Sequence, residues 1–288
     1  MKILVTGMTG QVGYELVRCL QPLGQVIGAN RNIMDLANLD QVRATIRNVC
    51  PNLIVNAAAY TAVDKAESEP KLATLINGIA PGVIAEEAAR LNAAMVHYST
   101  DYVFDGSKSG PYTEDDIPCP INEYGRSKLA GEKAIAVTGV AHLIFRTSWV
   151  YGMRGKNFLL TMRRLASERD ELRIVADQYG APTWSRTIAD TTANILAQAS
   201  KAADQEDWWS KNQGIYHLTA QGSTTWFGFA EALLGDVPRR PKIMPISSLE
   251  YPLPARRPTN SRLSCASLIN NFCHLPDWQN AMMLCQEP

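Results

Sequence analysis

The sequence lacks the patterns that hold structural metals or disulfide frameworks. Its six cysteines are scattered without a CxxC pair, and only four histidines accompany them among 288 residues. Zinc sites and disulfide-stapled folds depend on closely spaced Cys and His residues. The composition therefore predicts a protein of a reducing compartment with no resident metal.

The chain also has no excess of one charge and no long apolar run. Lysine and arginine together number 28, and aspartate and glutamate also number 28, so nothing attracts the whole molecule to nucleic acid or to an acidic membrane. No apolar run reaches the roughly 18 residues that span a bilayer, and Gly7 comes too early for the apolar core of a signal peptide. We expect a cytoplasmic protein that binds neither nucleic acid nor membranes.

The sequence does contain an alternation of short apolar runs and helix-length segments. The first half carries the runs KILVT, QVIGA, LIVNAAA, AMVHYS and LIFRTS. Such alternation is typical of a doubly wound parallel sheet. We therefore predict an α/β protein with a Rossmann-type domain in residues 1–150. A second, smaller substrate-binding lobe is expected mainly in residues 151–288, with segments that return to the first domain.

Three patterns in the second half extend this prediction. Asn157 is placed to cap a helix running to about Arg169, and another helix is expected from about Ser185 to Ser200. The run IYHLT predicts a further strand. Residues 242–264 are rich in proline and arginine, and we expect them to wrap a cleft instead of building a core.

A glycine-rich turn follows the first predicted strand, in VTGMTGQVG. Gly7, Gly10 and Gly13 allow a tight turn, close approach of a pyrophosphate and packing of the next helix on the strand. The helix beginning near Gln11 would direct its positive end at that phosphate. A glycine turn also occurs in ordinary α/β sheets, but its position between strand and helix favours dinucleotide binding. No Gly-Lys-Ser/Thr follows, which excludes a Walker loop.

A tyrosine and a lysine stand four residues apart in YGRSK, in a segment expected to be helical from about Asn122. This spacing places Tyr124 and Lys128 on one helical face. A free phenol titrates near pH 10, and a neighbouring ammonium would lower its pKa so that Tyr124 can exchange a proton. The alternative is a surface pair on a solvated helix.

Hydroxyls and a carboxylate end the predicted strand in HYSTDYVFDG. Ligands of open α/β sheets bind at the carboxyl ends of the strands, where Ser99, Thr100 and Asp101 would lie. A carbonyl that accepts hydride develops negative charge on its oxygen, which the hydroxyl of Thr100 and the proton of Tyr124 would meet. His97, on the same strand, is expected to be a hydrogen-bonded core residue.

The end of the second predicted strand bears on the choice of cofactor. Folds that prefer NAD place an acidic side chain there, about 20 residues beyond the glycine turn. Asn30 holds that place here and Arg31 follows it. An amide does not repel a 2′-phosphate, and a guanidinium can pair with one. We predict NADPH as the preferred cofactor, with NADH as an alternative; Arg31 could also simply begin an exposed loop.

Six motifs together resemble the extended short-chain dehydrogenase/reductase family. They are TGMTGQVG, NAAAYTAVDKAESEP, HYSTDYVFDG, EYGRSKLAGE, FRTSWVYG and PARRPTNSRL, and the resemblance extends from Met1 to about Trp278. It implies hydride transfer from NAD(P)H to the C4 ketone of a nucleotide sugar, dTDP-4-dehydro-L-rhamnose. A homodimer is left open.

The resemblance also implies roles for individual residues. Tyr124 would be the proton donor, Lys128 its activator and a contact of the cofactor ribose, and Thr100 the third member of a catalytic triad. Asp101 and Trp149 would contact the nucleotide sugar. The implied cofactor contacts are Gly10, Gln11, Val12, Asp35, Leu36, Ala59, Tyr60 and Thr61.

Other interpretations of the substrate residues stay open. Trp149 follows the fifth predicted strand, where its indole would either stack on a ligand or pack the two lobes together. Arg256 and Arg257 are candidates for clamping the diphosphate, and the alternative is a solvated basic pair.

Two further sets of charged residues have interpretations outside catalysis. Asp64, Lys65 and Glu67 are expected to form a charge network at a helix start and not to act in catalysis. Glu15 matches a position where some family members bind magnesium at a dimer interface, but PTWSRTIAD offers no convincing acidic partner. We therefore expect no metal.

Two other functions compete with the reductase. A sugar-nucleotide epimerase or dehydratase of the same superfamily would use the same triad but would return the hydride to its substrate. A non-catalytic regulatory subunit would bind the dinucleotide without turnover, although the intact set of Tyr124, Lys128 and Thr100 disfavours it.

Overall fold

The computed structural model describes residues 1–235 and 240–287. Its strands, in chain order, are β1 (Lys2–Thr6), β2 (Gln25–Ala29), β3 (Leu53–Asn56), β4 (Ala94–Thr100), β5 (His142–Thr147), β6 (Val150–Tyr151), β7 (Glu171–Val175), β8 (Tyr179–Gly180), β9 (Thr183–Trp184), β10 (Gly214–His217), β11 (Thr224–Thr225) and β12 (Lys242–Ile246).

The helices alternate with these strands through most of the chain. They are α1 (Gln11–Cys19), α2 (Leu39–Val49), α3 (Val63–Ala66), α4 (Pro70–Thr74), α5 (Ala80–Arg90), α6 (Glu123–Ala136), α7 (Phe158–Glu168), α8 (Ser185–Lys201), α9 (Gln205–Asn212), α10 (Trp226–Leu233), α11 (Ala266–Asn271) and α12 (Trp278–Gln286). A π-helical turn (Leu75–Ile79) joins α4 to α5. No helix in the described ranges is long and apolar enough to cross a membrane.

Six strands form the central sheet in the order β10-β5-β4-β3-β1-β2, and every pair is parallel. From β1 the chain moves outward to β2 and then crosses to β3 on the other side. The loops after β1 and β3 therefore diverge at the carboxyl edge and leave a crevice. The predicted doubly wound, Rossmann-type sheet is confirmed.

Alternating side chains of the strands build a core on each face of the sheet. Ile3 and Val5 pack with Leu16 of α1 and Ile188 of α8 on one face. On the other face, Leu4 belongs to the core formed with residues of α2, α5 and α6, among them Ile46, Ile84 and Ile135. The period-two alternation of β1 explains why both faces need a helical layer.

A separate core forms in the second half of the chain. It includes Tyr151, Leu159 of α7, Leu172 of β7, Phe229 of α10 and Trp278 of α12. Asn157 caps α7 by accepting a hydrogen bond from the backbone of Leu160, as predicted from the sequence. These contacts give the second lobe its own hydrophobic interior.

The prediction that residues 242–264 only wrap a cleft is partly wrong. Lys242–Ile246 forms β12, which pairs in parallel with β7, and Ile243 packs on the second core. Ile243, Met244 and Ile246 supply apolar side chains, and Pro245 is tolerated because β12 is an edge strand of a two-stranded sheet. Residues 251–262, here called the strap, contain no helix or strand and lie beside the crevice through contacts described below.

The division into residues 1–150 and 151–288 remains a proposal. β10 and α8 both come from the later range, yet β10 extends the central sheet beside β5 and α8 packs in the same core as α1. Residues 236–239 and 288 of that range lie outside the described residues.

A buried carboxylate joins α2 to α5. Glu87 is 1% exposed, and its oxygens accept hydrogen bonds from Arg43, Arg47 and Arg90 at 3.0, 2.7 and 2.8 Å. The hydrogen bonds from Arg47, aided by those of the other arginines, lower the pKa of Glu87 to about 2. The charged form of Glu87 therefore stabilises the fold.

We predict that Glu87→Gln destabilises the protein by about 2–4 kcal/mol at neutral pH. Because the pKa is lower in the folded protein, the ionic contribution is complete above pH 4.5, the ordinary glutamate value, and is lost as the pH falls towards 2. The stability gap between wild type and variant should therefore narrow below about pH 4.5. Thermal unfolding across this pH range measures the gap.

Glu86→Gln is the matched control, since Glu86 is exposed and, among the described residues, forms an ion pair only with Arg43. It should change stability by less than about 0.5 kcal/mol. A Glu87→Gln gap that stays constant with pH would contradict the ionic explanation.

Candidate active site

A cleft of about 530 Å³ lies at the carboxyl edge of the sheet, in the size range of small-molecule sites. Most of the residues predicted to bind a cofactor line it, together with two of the predicted triad. They are Gly7, Gly10, Gln11, Val12, Asn30, Arg31, Asp35, Leu36, Ala59, Thr61, Tyr124 and Lys128.

The glycine turn is closed by its own backbone. The N–H of Gly10 donates to the carbonyl of Gly7 at 2.8 Å, and Gly7 has a φ of +66°, a conformation that glycine adopts without strain. A Cβ on Gly13 would lie 2.1 Å from the Gly7 oxygen, so α1 packs directly on the turn. No side chain of the described residues caps the start of α1 at Gly10. The first N–H groups of α1 are thus available at the cleft.

The end of β2 places its two polar residues differently. The side-chain oxygen of Asn30 accepts hydrogen bonds from the backbone of Asn32 and Ile33 at 3.0 and 3.2 Å, and so it stabilises the turn. The Arg31 side chain is 79% exposed at the mouth of the cleft, with its Nε 4.0 Å from Asp35. The Arg31 guanidinium is therefore accessible to an anion at the cleft.

The hydroxyl of Thr100 is held at the end of β4. It donates to Asp101 Oδ1 at 2.9 Å and accepts from the backbone N–H of Tyr102 at 3.1 Å. Both Thr100 and Asp101 are buried, and burial raises the pKa of Asp101 to about 7. Neither residue lies among those that line the cleft.

Helix α6 brings Tyr124 and Lys128 to this edge. Its N-cap, Asn122, accepts a hydrogen bond from Gly125 N at 2.7 Å. A Cβ on Gly125 would lie 2.1 Å from the carbonyl oxygen of Tyr102, so the helix start packs directly on the segment after β4. The predicted shared face of Tyr124 and Lys128 is therefore directed at the cleft.

The Lys128 ammonium is buried and tightly held. The residue is 1% exposed, and Nζ donates to the Tyr98 carbonyl at 2.5 Å and lies 3.1 Å from His97 Nε2. Burial lowers the pKa of Lys128 to about 8, and the nearby Glu132 carboxylate acts in the opposite direction. Lys128 is therefore less basic than an exposed lysine.

Tyr124 differs from the expectation that Lys128 lowers its pKa. Burial raises the pKa of the phenol above its ordinary value, the charge of Asp101 raises it further, and contact with Thr100 lowers it. The ammonium of Lys128 is instead directed to Tyr98 and His97. The phenol is therefore protonated at neutral pH in this structure.

The loop after β3 is fixed by a residue that sequence reasoning missed. Asn77, in the π-helical turn, accepts from the N–H of Tyr60 at 2.8 Å and donates to its carbonyl at 2.9 Å. The same amide donates to Ser127 Oγ of α6 at 3.0 Å. Tyr60 does not line the cleft, and its hydroxyl donates to Glu69. An asparagine within an otherwise apolar helical run is the sequence signal that could have identified this position.

Trp149 packs on a residue that borders the second core. Its φ is +45°, and its ring stacks on Trp226 with centroids 3.6 Å apart and an angle of 8° between planes. The indole also covers Gly180 so closely that a Cβ there would lie 2.5 Å from the ring. Of the two interpretations of Trp149, this geometry favours packing between the lobes.

The two arginines of the strap have different environments. Arg257 donates to both oxygens of Asp64, at 2.9 and 2.7 Å, and these hydrogen bonds lower the pKa of Asp64. Arg256 has an exposed side chain, and its carbonyl accepts from Asn122 Nδ2 at 2.8 Å. Asp64 thus holds the strap in place. We expected it to take part only in a local charge network at a helix start. Neither arginine lines the cleft.

Lys65 and Glu67, the charged neighbours of Asp64, contact different parts of the chain. Lys65 pairs with Glu69 at 2.8 Å, while Glu67 accepts a hydrogen bond from the backbone N–H of Glu123 at 2.9 Å. Glu67 therefore helps to hold the start of α6. Within the described ranges, no group of three or more His, Cys, Asp or Glu residues is placed to hold a metal ion.

Two further cleft residues, Gly155 and Lys156, were not foreseen. They lie in MRGKN, in the connection to α7, and Gly155 has a φ of +75°. A glycine between cations, shortly after a strand of the sheet, is a signal that would have found them. Lys156 adds a positive charge to the lining of the cleft.

Comparison with known proteins gives similarity over the whole chain. The family model described as "RmlD substrate binding domain" matches residues 1–287. A dTDP-4-dehydrorhamnose reductase of Burkholderia thailandensis is 51% identical over 99% of this chain and 98% of its own length. One of Escherichia coli K12 is 47% identical over 97% of this chain and 95% of its own. The crystal structure of a dTDP-4-dehydrorhamnose reductase from Bacillus anthracis in complex with NADP superimposes with a TM-score of 0.90, at 35% identity over 99% and 98% of the two chains.

We predict that Asp64 and Arg257 stabilise the fold as a pair. In a double-mutant cycle, Asp64→Asn and Arg257→Gln should each lower stability, and their coupling energy should be about 1 kcal/mol because each removes the same bidentate contact. Thermal unfolding of the four proteins measures the coupling. Arg256→Gln is the control and should lie within about 0.5 kcal/mol of wild type. Strictly additive single effects would show that the pair contributes nothing.

Proposed function

The chain belongs to the RmlD substrate-binding domain family, and from that premise we propose that it is an NADPH-dependent reductase of dTDP-4-dehydro-L-rhamnose. The product is dTDP-L-rhamnose. The observation that carries the proposal is one cleft that unites a dinucleotide-type glycine turn with a Tyr124–Lys128 pair. The end-to-end similarity to named reductases supports the choice of substrate.

The residues of the cleft fit a dinucleotide. Gly7 and Gly10 leave room at the start of α1, where a Cβ would meet backbone atoms at 2.9 and 3.2 Å. The first N–H groups of α1 suit a pyrophosphate, and Arg31 suits a 2′-phosphate. We assign Asp35 and Leu36 to the adenine side, and Ala59, Tyr60 and Thr61 to the part of the cofactor beyond β3. NADPH, when bound, supplies the hydride that reaches C4 of the sugar.

Tyr124 is assigned as the proton donor. Its raised pKa keeps the hydroxyl protonated at neutral pH, which is the form that can protonate the C4 oxygen as hydride adds to carbon. The resulting tyrosinate would need a nearby cation. Lys128, one helical turn away and lining the same cleft, is assigned that role together with a contact to the ribose.

Thr100 and Asp101 are assigned to the sugar C4 oxygen. The Thr100 proton is shared with Asp101 in this structure. Because the pKa of Asp101 is raised to about 7, a proton on this carboxyl is accessible near neutrality and would release the Thr100 proton for the substrate oxygen. The pair can thus supply a second hydrogen bond to the developing alkoxide.

The nucleotide sugar is assigned to the side of the cleft bordered by the strap and the second lobe. Trp149 and Arg256 are the proposed contacts: Trp149 directly follows the central strands, and the Arg256 side chain is exposed on the strap and so is available to a diphosphate. Arg257 is committed to Asp64, and we propose that it contributes by holding the strap and not by clamping a diphosphate.

The test of the function is turnover with dTDP-4-dehydro-L-rhamnose, generated in place from dTDP-glucose. One NADPH should be oxidised for each dTDP-L-rhamnose formed, followed by loss of nicotinamide absorbance and by chromatography of the sugar nucleotides. An epimerase or dehydratase would convert the sugar without net NADPH consumption, and that result would overturn the proposal.

We predict that Tyr124→Phe lowers kcat by at least ~100-fold, the scale of losing a general acid, with little change in NADPH affinity. Steady-state kinetics and fluorescence titration of NADPH measure the two effects. Tyr216→Phe is the matched control, because the Tyr216 hydroxyl donates to the Asn212 carbonyl outside the cleft. Comparable kcat values for the Tyr124 variant and wild type would remove Tyr124 from the mechanism.

We also predict that NADPH is preferred over NADH. The double variant Asn30→Asp with Arg31→Ala should move the ratio of kcat/KM values towards NADH by at least ~10-fold, since a carboxylate repels the 2′-phosphate and the guanidinium is lost. Aspartate can still accept the turn hydrogen bonds that Asn30 accepts. The two single variants show how much of the change in this ratio comes from the new carboxylate and how much from the lost guanidinium. An unchanged ratio would show that this strand end does not contact the 2′-position.

A further inference from the structure

A buried histidine lies directly behind Lys128. His97, on β4, is 1% exposed, and its two ring nitrogens each have a partner: Nε2 is 3.1 Å from Lys128 Nζ and Nδ1 is 3.0 Å from Asn56 Nδ2. Burial, reinforced by the charge of Lys128, holds the pKa of His97 well below its usual range. The imidazole is therefore neutral and can accept one hydrogen bond.

The network continues through the sheet to the cofactor loop. Asn56 is opposite His97 in the parallel register of β3 and β4. Its Oδ1 lies 2.6 Å from the Thr6 hydroxyl of β1, and that hydroxyl accepts from the N–H of Ala58 at 3.0 Å. Four polar side chains thus join the three strands that border the crevice to the loop that carries Ala59.

The number of protons available decides which ring nitrogen of His97 donates a hydrogen bond and which one accepts. An ammonium can only donate, so a charged Lys128 requires that Nε2 accept and that Nδ1 carry the ring proton. Asn56 must then offer its oxygen to Nδ1, which a half-turn of the amide about its last bond achieves. The same half-turn directs the amide nitrogen at the Thr6 hydroxyl, which then accepts from Asn56 instead of donating to it. With the amide nitrogen towards His97, the ring proton would sit on Nε2 and Lys128 would have to be uncharged. The two arrangements of the network therefore differ in the charge of Lys128.

We propose that His97, fixed by Asn56, is a positioning residue that accepts a hydrogen bond from the Lys128 ammonium. The Tyr98 carbonyl takes a second ammonium proton, and this leaves one N–H of the three for the cleft. The inference rests on the proposed function in one respect: the proposed function supplies the cofactor and the Tyr124 hydroxyl that this third N–H of Lys128 would serve.

The other charged and titratable groups around Lys128 do not replace His97. Glu132, four residues along α6, is held by Arg146 of β5 at 2.7 Å, so its charge is already balanced. Tyr124 lines the cleft, Asp101 accepts from the Thr100 hydroxyl at the end of β4, and the Tyr98 hydroxyl is on the opposite side of β4, where it bonds to Thr192. His97 is therefore the side chain that directs the ammonium from behind.

The first test observes the ring directly. Nitrogen-15 NMR of the histidine-labelled full chain, without cofactor and again with NADP⁺, distinguishes the two neutral tautomers. Four histidines give few signals, and His97→Gln assigns the one from His97. We expect a neutral ring with its proton on Nδ1 at pH 6–7, that is, about one unit or more below the Lys128 pKa of about 8. A protonated Nε2 in that range would overturn the proposal.

The second test uses two variants of nearly equal size. The amide of His97→Gln reaches the Nε2 position and can accept from Lys128, whereas that of His97→Asn reaches only the Nδ1 position near Asn56. We expect His97→Asn to lower kcat by about 10-fold and His97→Gln to stay within about threefold of wild type. KM for the nucleotide sugar should be unchanged in both.

The pH dependence supplies a readout that a structural defect would not move. Losing the acceptor disfavours the charged form of Lys128, so the pH above which NADPH affinity weakens should fall by about one unit in His97→Asn and not in His97→Gln. Fluorescence titration of NADPH measures this without turnover. Equal pH profiles in the two variants would overturn the proposal. The tautomer and the binding profile need no sugar substrate, so their outcome is independent of whether the assigned reaction is correct.

Discussion

The burial of the Lys128 ammonium is the interaction on which the rest of the site depends. A charge that is 1% exposed is stable only where donors and acceptors replace water, and here the Tyr98 carbonyl and His97 do so. These partners belong to β4, so α6 must pack on that strand at one height and one rotation. The position of Tyr124, one turn earlier on the same helix, follows from it.

A polar layer inside the sheet makes this burial tolerable. Thr6, Asn56 and His97 lie side by side on β1, β3 and β4, where apolar residues would ordinarily fill the core. A second buried pair, Glu132 and Arg146, ties α6 to β5. Buried polar groups of this kind cost free energy unless every partner is in place, so they specify one arrangement of helix and sheet.

Long-range contacts also join the strap and the second core to the part of the chain that carries the cleft. Arg257 of the strap holds Asp64, and the carbonyl of Arg256 holds Asn122 at the start of α6. Trp149 stacks on Trp226 across the lobes. The contact of Arg256 with Asn122 thus links the strap to the start of α6, the helix that carries Tyr124.

The sequence alone determined the parallel sheet, the glycine turn and the helical face shared by Tyr124 and Lys128. These depend on periodicity, turn chemistry and spacing, which are local properties of the chain. Only the tertiary structure decided that Lys128 is directed to Tyr98 and His97, that Trp149 packs on Trp226, and that Arg257 pairs with Asp64. Their partners lie tens to nearly two hundred residues away, and no local pattern encodes which of several polar groups a folded side chain will meet.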